Sequence, residues 1–163
     1  KGDKILALPS SGFHSNGFSL VRKIFPDFNE QFEGKPLYET LLMPTRLYFQ
    51  PIHQILNEVD VHGIAHITGG GLTENLPRVL PDHLAAQIDV SSWTFPPVFQ
   101  WLQQKGHIEQ MEMYRTFNCG VGFVVVVPAD KADQAIDLLN EQGETAWKLG
   151  EIVERTGDAV TYR

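Results

Sequence analysis

Three consecutive glycines, Gly69-Gly70-Gly71, constrain the fold of this chain more than any other feature. Glycine inside a helix or strand costs roughly 0.5–1 kcal/mol against alanine, so three together belong at a corner. The apolar run Ile64–Thr68 before them reads as a strand. A helix is expected from about Thr73, with Pro77 in its opening turns, where a missing N–H is least costly. The corner therefore joins a strand to a helix.

The same alternation runs along the whole chain. Lys4–Leu8 is continuously apolar, as in a strand buried on both faces. A loop dense in Ser, Gly and Asn follows over residues 9–17, then an amphipathic helix carrying Phe18, Val21 and Phe25, stopped by Pro26. Residues 27–36 are polar and turn-like, Pro36–Leu42 suits a short helix, and residues 44–48 are extended. Ile52, Ile55, Leu56 and Val59 have helical spacing. Leu84–Val90 reads as a strand, Pro97–Lys105 as a helix closed by Gly106, and Glu109–Tyr114 as a second short helix. The run Val121–Val127 is a strand, and Ala132, Ala135, Ile136 and Leu139 mark a helix ended by Gly143. Trp147–Glu154 and Ala159–Tyr162 are the last strands. Interleaved strands and helices predict an α/β or α+β fold, a mixed sheet covered by helices, in one domain over residues 1–163.

Charge and cysteine content exclude several functions. A net charge of −7 argues against a general nucleic-acid binder, which needs a basic face. Any phosphate must then be held by local main-chain N–H groups and a few chosen cations. No apolar stretch approaches the roughly 20 residues of a membrane span. Cys119 is the single cysteine, so no internal disulfide forms, and a reducing, cytoplasmic setting is expected. The chain has no signal peptide, lacks an initiating Met and reads as a piece of something longer.

Three constellations are candidates for chemistry. In Thr68-Gly69-Gly70-Gly71-Leu72-Thr73-Glu74-Asn75 the glycines let main chain approach a ligand, and the helix start offers free N–H groups, together a phosphate cradle. No Gly-Lys-Ser/Thr follows, so this is not a Walker loop. The other possibility is a tight turn without a ligand. Ser10-Ser11-Gly12-Phe13-His14-Ser15-Asn16-Gly17 also lies between a strand and a helix. His14 there suits an anion donor or a general acid or base, whereas Ser15 or Asn16 equally suits a helix cap. In the third, residues 114–122, Arg115 offers a fork for phosphate or carboxylate, Asn118 a ligand contact or turn cap, and Cys119 a small buried side chain rather than a nucleophile. Arg46 is a second basic candidate or a surface ion pair. His62 and His66 stand four apart on a strand, and no HExxH or CxxC occurs, so no metal site is expected.

Several long blocks, in order, carry a resemblance: Ser10–Lys23, Pro44–Tyr48, His66–Pro81, Met113–Gly122 and Ala146–Ile152. They resemble the C-terminal half of the phosphoribosylformylglycinamidine cyclo-ligases, the aminoimidazole ribonucleotide (AIR) synthetases, from end to end. The resemblance implies an ATP- and Mg²⁺-using ligase of purine biosynthesis, a homodimer. Its N-terminal half would hold most of the ATP and the metal, and its C-terminal half, partly ferredoxin-like, would close the substrate cleft. Alone, this half would be inactive. It further implies that Thr68, Gly69, Gly70, Gly71 and Asn75 face a phosphate, with Ser11 and Asn118 beside it. His14, Ser15, Asn16 and Arg115 would orient the ribonucleotide or stabilise developing charge. Two alternatives stay open: a non-catalytic phosphate-binding module, or another ATP-using enzyme of the same superfamily, such as selenophosphate synthetase.

Overall fold

The computed structural model describes all 163 residues, Lys1–Arg163. Eight strands form: β1 (Lys4–Pro9), β2 (Gln31–Phe32), β3 (Lys35–Pro36), β4 (Gly63–His66), β5 (Leu84–Ile88), β6 (Val121–Val127), β7 (Trp147–Glu154) and β8 (Val160–Tyr162). Seven α-helices accompany them: α1 (Phe18–Ile24), α2 (Leu37–Leu41), α3 (Phe49–Glu58), α4 (Gly71–Asn75), α5 (Pro97–Gly106), α6 (Gln110–Thr116) and α7 (Ala132–Glu141). No helix is long and apolar enough to cross a membrane.

The main sheet has six strands in the order β4-β6-β1-β7-β5-β8. All neighbours are antiparallel except β5 and β8, which makes the sheet mixed, as the interleaved pattern predicts. Both faces are covered, which explains why β1 and β6 are apolar at successive positions. Ile5, Ala7, Val124 and Val126 pack on one face with Leu72, Leu76 and Ile88. Leu6, Leu8, Val125 and Val127 pack on the other, beneath Ile52 and Ile55 of α3 and Ala135 and Leu139 of α7.

A third cluster lies off the sheet. Phe13, Phe25, Phe99 and Phe117 are fully buried there, among residues of α1, α2, α5 and α6. Phe13 sits at its centre, with ring centroids 4.7 Å from Phe99 and 5.7 Å from Phe117. Such aromatic pairs add to their burial energy by tilted and edge-to-face contact.

The structure departs from the sequence expectations at a few boundaries. Residues 31–36 hold the small β2–β3 hairpin within a segment expected to be turns only. α4 begins at Gly71, not near Thr73, and gives way to a 3₁₀ turn over Leu76–Val79 that takes up Pro77. The left-handed residue after α5 is His107, one beyond the expected Gly106. The helix α1 is preceded by Gly17 at φ 77°, and neither Ser15 nor Asn16 caps it.

Candidate functional site

Strand register brings the three constellations to one end of the sheet. β1 and β4 both pair with β6, and their C-terminal ends meet its start: Pro9 lies opposite Val121, and His66 opposite Phe123. Main-chain bonds extend this meeting beyond the strands. Ser10 N–H donates to the Gly120 carbonyl at 2.9 Å, and Ile67 N–H to the Gly122 carbonyl at 3.0 Å. The two glycine-rich corners touch, since a Cβ on Gly69 would stand 3.3 Å from Asn16 Oδ1.

The Ser10–Gly17 corner is built around an imidazole. His14 is only 4 % exposed. Main-chain N–H groups of Ser11 and Arg46 donate to its Nε2 at 3.0 and 3.4 Å, which places the ring proton on Nδ1. Nδ1 is buried without a partner. Burial, with the neighbouring His66 and Arg46 charges, pushes this imidazole down to about 4. It is therefore neutral at pH 7, an acceptor inside the loop. His14 and Ser15 both adopt positive φ, 51° and 57°, a costly conformation for non-glycine residues. Asn16 Nδ2 donates to the His14 carbonyl at 2.6 Å, which leaves its Oδ1 toward Gly69. The Ser11 hydroxyl donates to the Pro44 carbonyl at 2.7 Å, and Ser15 is exposed.

The Thr68–Asn75 corner is held by one amide. Asn75 is buried, and its Nδ2 donates to the carbonyls of Gly71 (2.8 Å), Gly69 (3.2 Å) and Thr68 (3.3 Å). The Thr68 hydroxyl donates to Asn75 Oδ1 at 3.2 Å. Carbonyls thus turn inward, and the N–H groups of Gly69 and Gly70 donate to no protein group. Gly71 needs to be glycine twice over. Its φ is 55°, and a Cβ would strike the main-chain carbonyls of Tyr114 and Phe117. Above Gly70 the Glu74 carboxylate folds back, 2.5 Å from where a Cβ would stand, so the helix start is partly met by the protein's own acid.

In the third constellation Asn118 is scaffolding in the same sense. Its Oδ1 accepts from the Ser10 hydroxyl (3.0 Å) and Gly120 N–H (2.8 Å), and its Nδ2 donates to the Gly12 carbonyl (2.7 Å). Cys119 is buried, with its thiol against the Met113 carbonyl at 3.3 Å, and burial pushes its pKa far up. Arg115 is exposed in the last turn of α6 and makes no hydrogen bond or ion pair. Arg46 proves to be an ion pair: its Nη2 lies 3.0 Å from Glu144, a carboxylate with 4 % side-chain exposure.

All the named residues therefore gather at one end of the sheet, in two groups. Asn75, Asn118, Thr68 and the Nε2 of His14 are spent on bonds inside the protein, whereas His14 Nδ1 has no partner. Gly69, Gly70, Ser15, Asn16 and Arg115 keep atoms free. Sequence reasoning passed over Glu74, whose place in the first turn of a helix was visible, and Glu144, whose pairing with Arg46 spans 98 positions and left no local trace. No group of three or more His, Cys, Asp or Glu side chains converges to hold a metal ion.

Comparison with known proteins gives the family. The family model described as AIR synthase related protein, C-terminal domain, matches residues 1–163. Phosphoribosylformylglycinamidine cyclo-ligases of Neisseria meningitidis, from serogroup C strain FAM18 and serogroup B strain MC58 among others, are 56% identical to the chain over 162 residues. Those matches cover 96% of this chain but 47% of the relatives, so the chain spans about half their length. Solved structures share the fold at low identity. Thiamine-monophosphate kinase from Stenotrophomonas maltophilia has a TM-score of 0.66 at 17% identity, covering 99% of this chain and 50% of that one. A chain of the HypE–HypF complex has 0.68 at 20%, covering 99% and 49%. The T. maritima PurL structure complexed with FGAR has 0.57 at 16%, covering 99% and 26%. The chain belongs to the AIR synthase related family, as its C-terminal domain.

Proposed function

We propose that the chain is the substrate-cleft half of an ATP-dependent cyclo-ligase that closes formylglycinamidine ribonucleotide into aminoimidazole ribonucleotide in purine biosynthesis. The observation that carries this reading is the contact between the two glycine-rich corners, Gly69 against Asn16, in a chain 56% identical to named cyclo-ligases. The Gly69 and Gly70 N–H groups, which have no partner in the protein, would grip the substrate's phosphate. An anion seated farther over α4 would first have to displace Glu74. Main-chain donors suit a protein of net charge −7, because they act at short range whatever the overall field.

ATP and Mg²⁺ would be held mainly by the other half of the longer chain, and the whole enzyme would be a cytoplasmic homodimer. When bound, ATP supplies the phosphoryl group that turns the formyl oxygen into a leaving group. The residues of this chain orient and exclude. Ser15, Asn16 Oδ1 and the Arg115 guanidinium position the ribonucleotide. Neutral, buried His14 holds the corner in shape, since its Nε2 already accepts two main-chain N–H groups.

Reconstitution tests this reading. The chain is mixed with the separately expressed remaining half of a Neisseria meningitidis cyclo-ligase, and ADP release and aminoimidazole ribonucleotide are followed. The chain alone is expected to give none, and the mixture to turn over. Turnover by the chain alone contradicts the division of labour. An associated but inert mixture contradicts the cyclo-ligase assignment.

A further inference from the structure

Beside the two corners the surface changes character. Leu47 is 87% exposed and Phe49 77%, with Leu56 and Ile64 also exposed. Leu47, Phe49 and Leu56 line one open depression of about 350 Å3, together with His66. Ile64 lies two residues from His66 on the same face of the edge strand β4, which pairs on one side only. Single exposed apolar residues are ordinary, but a contiguous group of large ones marks a surface that another molecule covers.

We infer that this face is the seat of the other half of the longer chain found in the relatives, which packs an apolar surface onto Leu47, Phe49, Leu56 and Ile64. The inference rests on the cyclo-ligase reading and adds the place of docking. Two observations choose this occupant over a second copy. The curated relatives carry about as much polypeptide again beyond the matched part, since the match covers 47% of their length. The fold recurs in the same way elsewhere: it makes up 50% of the kinase chain and 49% of the HypE chain.

The face is also continuous with the ligand corner. Pro44 and Arg46, just before Leu47, bond to Ser11 and His14 through the Pro44 carbonyl and the Arg46 N–H. Arg46 is in turn anchored by the buried Glu144, and the Tyr48 hydroxyl donates to the Pro9 carbonyl at 2.6 Å. Segment 44–48 therefore presents the docking residues on one side and holds the His14 loop on the other. A partner seated on Leu47 and Phe49 presses on the segment that shapes the corner.

The test measures association of the chain with the separately expressed other half of the Neisseria relative by analytical ultracentrifugation and calorimetry. The variants are Leu47→Asp, Phe49→Asp and, as a control just past β5, four strands away from β4 in the sheet, Val90→Asp. Leu47 and Phe49 are exposed, so their variants should fold, which circular dichroism checks. A one-to-one complex is expected, weakened at least tenfold by Leu47→Asp and by Phe49→Asp and unchanged by Val90→Asp. Equal binding by all variants overturns the docking site while leaving the cyclo-ligase reading intact. Self-association of the chain that Phe49→Asp abolishes assigns the face to a second copy and overturns the proposal. Absence of any complex with the unmodified chain overturns both.

Discussion

The two glycine-rich corners look alike in sequence and are built on opposite plans. The Thr68–Asn75 corner is held from within by a buried amide that collects carbonyls and leaves N–H groups outward. The Ser10–Gly17 corner is held by a buried imidazole that collects N–H groups, with two non-glycine residues at positive φ. One corner thus offers donors at almost no strain, because glycine takes the left-handed positions. The other keeps strain in His14 and Ser15 and sets an exposed serine at its tip. An asparagine or histidine in a glycine-rich corner therefore need not face outward: here the Asn75 and Asn118 amides and the Nε2 of His14 shape the main chain.

The sharpest way to break the comparison is Gly71→Ala. The new Cβ would meet two main-chain carbonyls, which cannot swing aside as a side chain can, at a φ that alanine resists. We expect a loss of about 3 kcal/mol or more, from overpacking and strain together. Urea unfolding of the variant and parent measures it. A loss below about 1 kcal/mol would show that the corner is far more pliable than its contacts imply.

The imidazole corner should answer to pH instead. The folded His14 titrates near 4 and the unfolded one at the ordinary 6.5. Between those values the unfolded chain binds a proton that the folded chain refuses, so stability falls as pH drops from 6.5 to 4. The shift corresponds to about 3 kcal/mol across the window. His14→Gln keeps an acceptor but cannot titrate. Its stability should therefore fall less steeply by up to one proton over that window, although it is somewhat less stable at pH 7. Parallel pH profiles for parent and variant would mean that the ring is charged or solvated in the folded chain.

Much of this was legible in sequence because it was local. The continuous apolar runs of β1 and β6 announced strands buried on both faces, and the spacing of Ile52, Ile55 and Val59 announced α3. Gly69–Gly71 located the corner, because no regular element tolerates three glycines. Pairings across long separations were not legible. The bond from Asn118 to Gly12 spans 106 residues, and whether that amide faced a ligand or the loop depended on the register between β1 and β6. The start of α4 was misplaced for a related reason: Gly71 opens the helix against the main-chain carbonyls of Tyr114 and Phe117, a packing between segments far apart in sequence. The β2–β3 hairpin, two residues a side, is too short for any alternation to show.

Arg115 gives the smallest effect on stability and the finest discrimination between scaffold and contact. Tyr114 and Phe117 pack against Gly71 on either side of it, yet its guanidinium bonds to nothing. As a cation in the last turn of α6 it gains only the dipole term, so Arg115→Ala should change folding stability by no more than about 0.5 kcal/mol. In the reconstituted enzyme it should raise KM for the ribonucleotide about tenfold with kcat little changed, if the fork grips the phosphate equally before and during reaction. A fall in kcat at constant KM would move Arg115 from holding the substrate to stabilising charge that develops on it. Arg115→Lys keeps the charge and loses the fork, and so should recover only part of the affinity. Kinetics unchanged in both variants would remove Arg115 from the site and leave the glycine N–H groups as its anion donors.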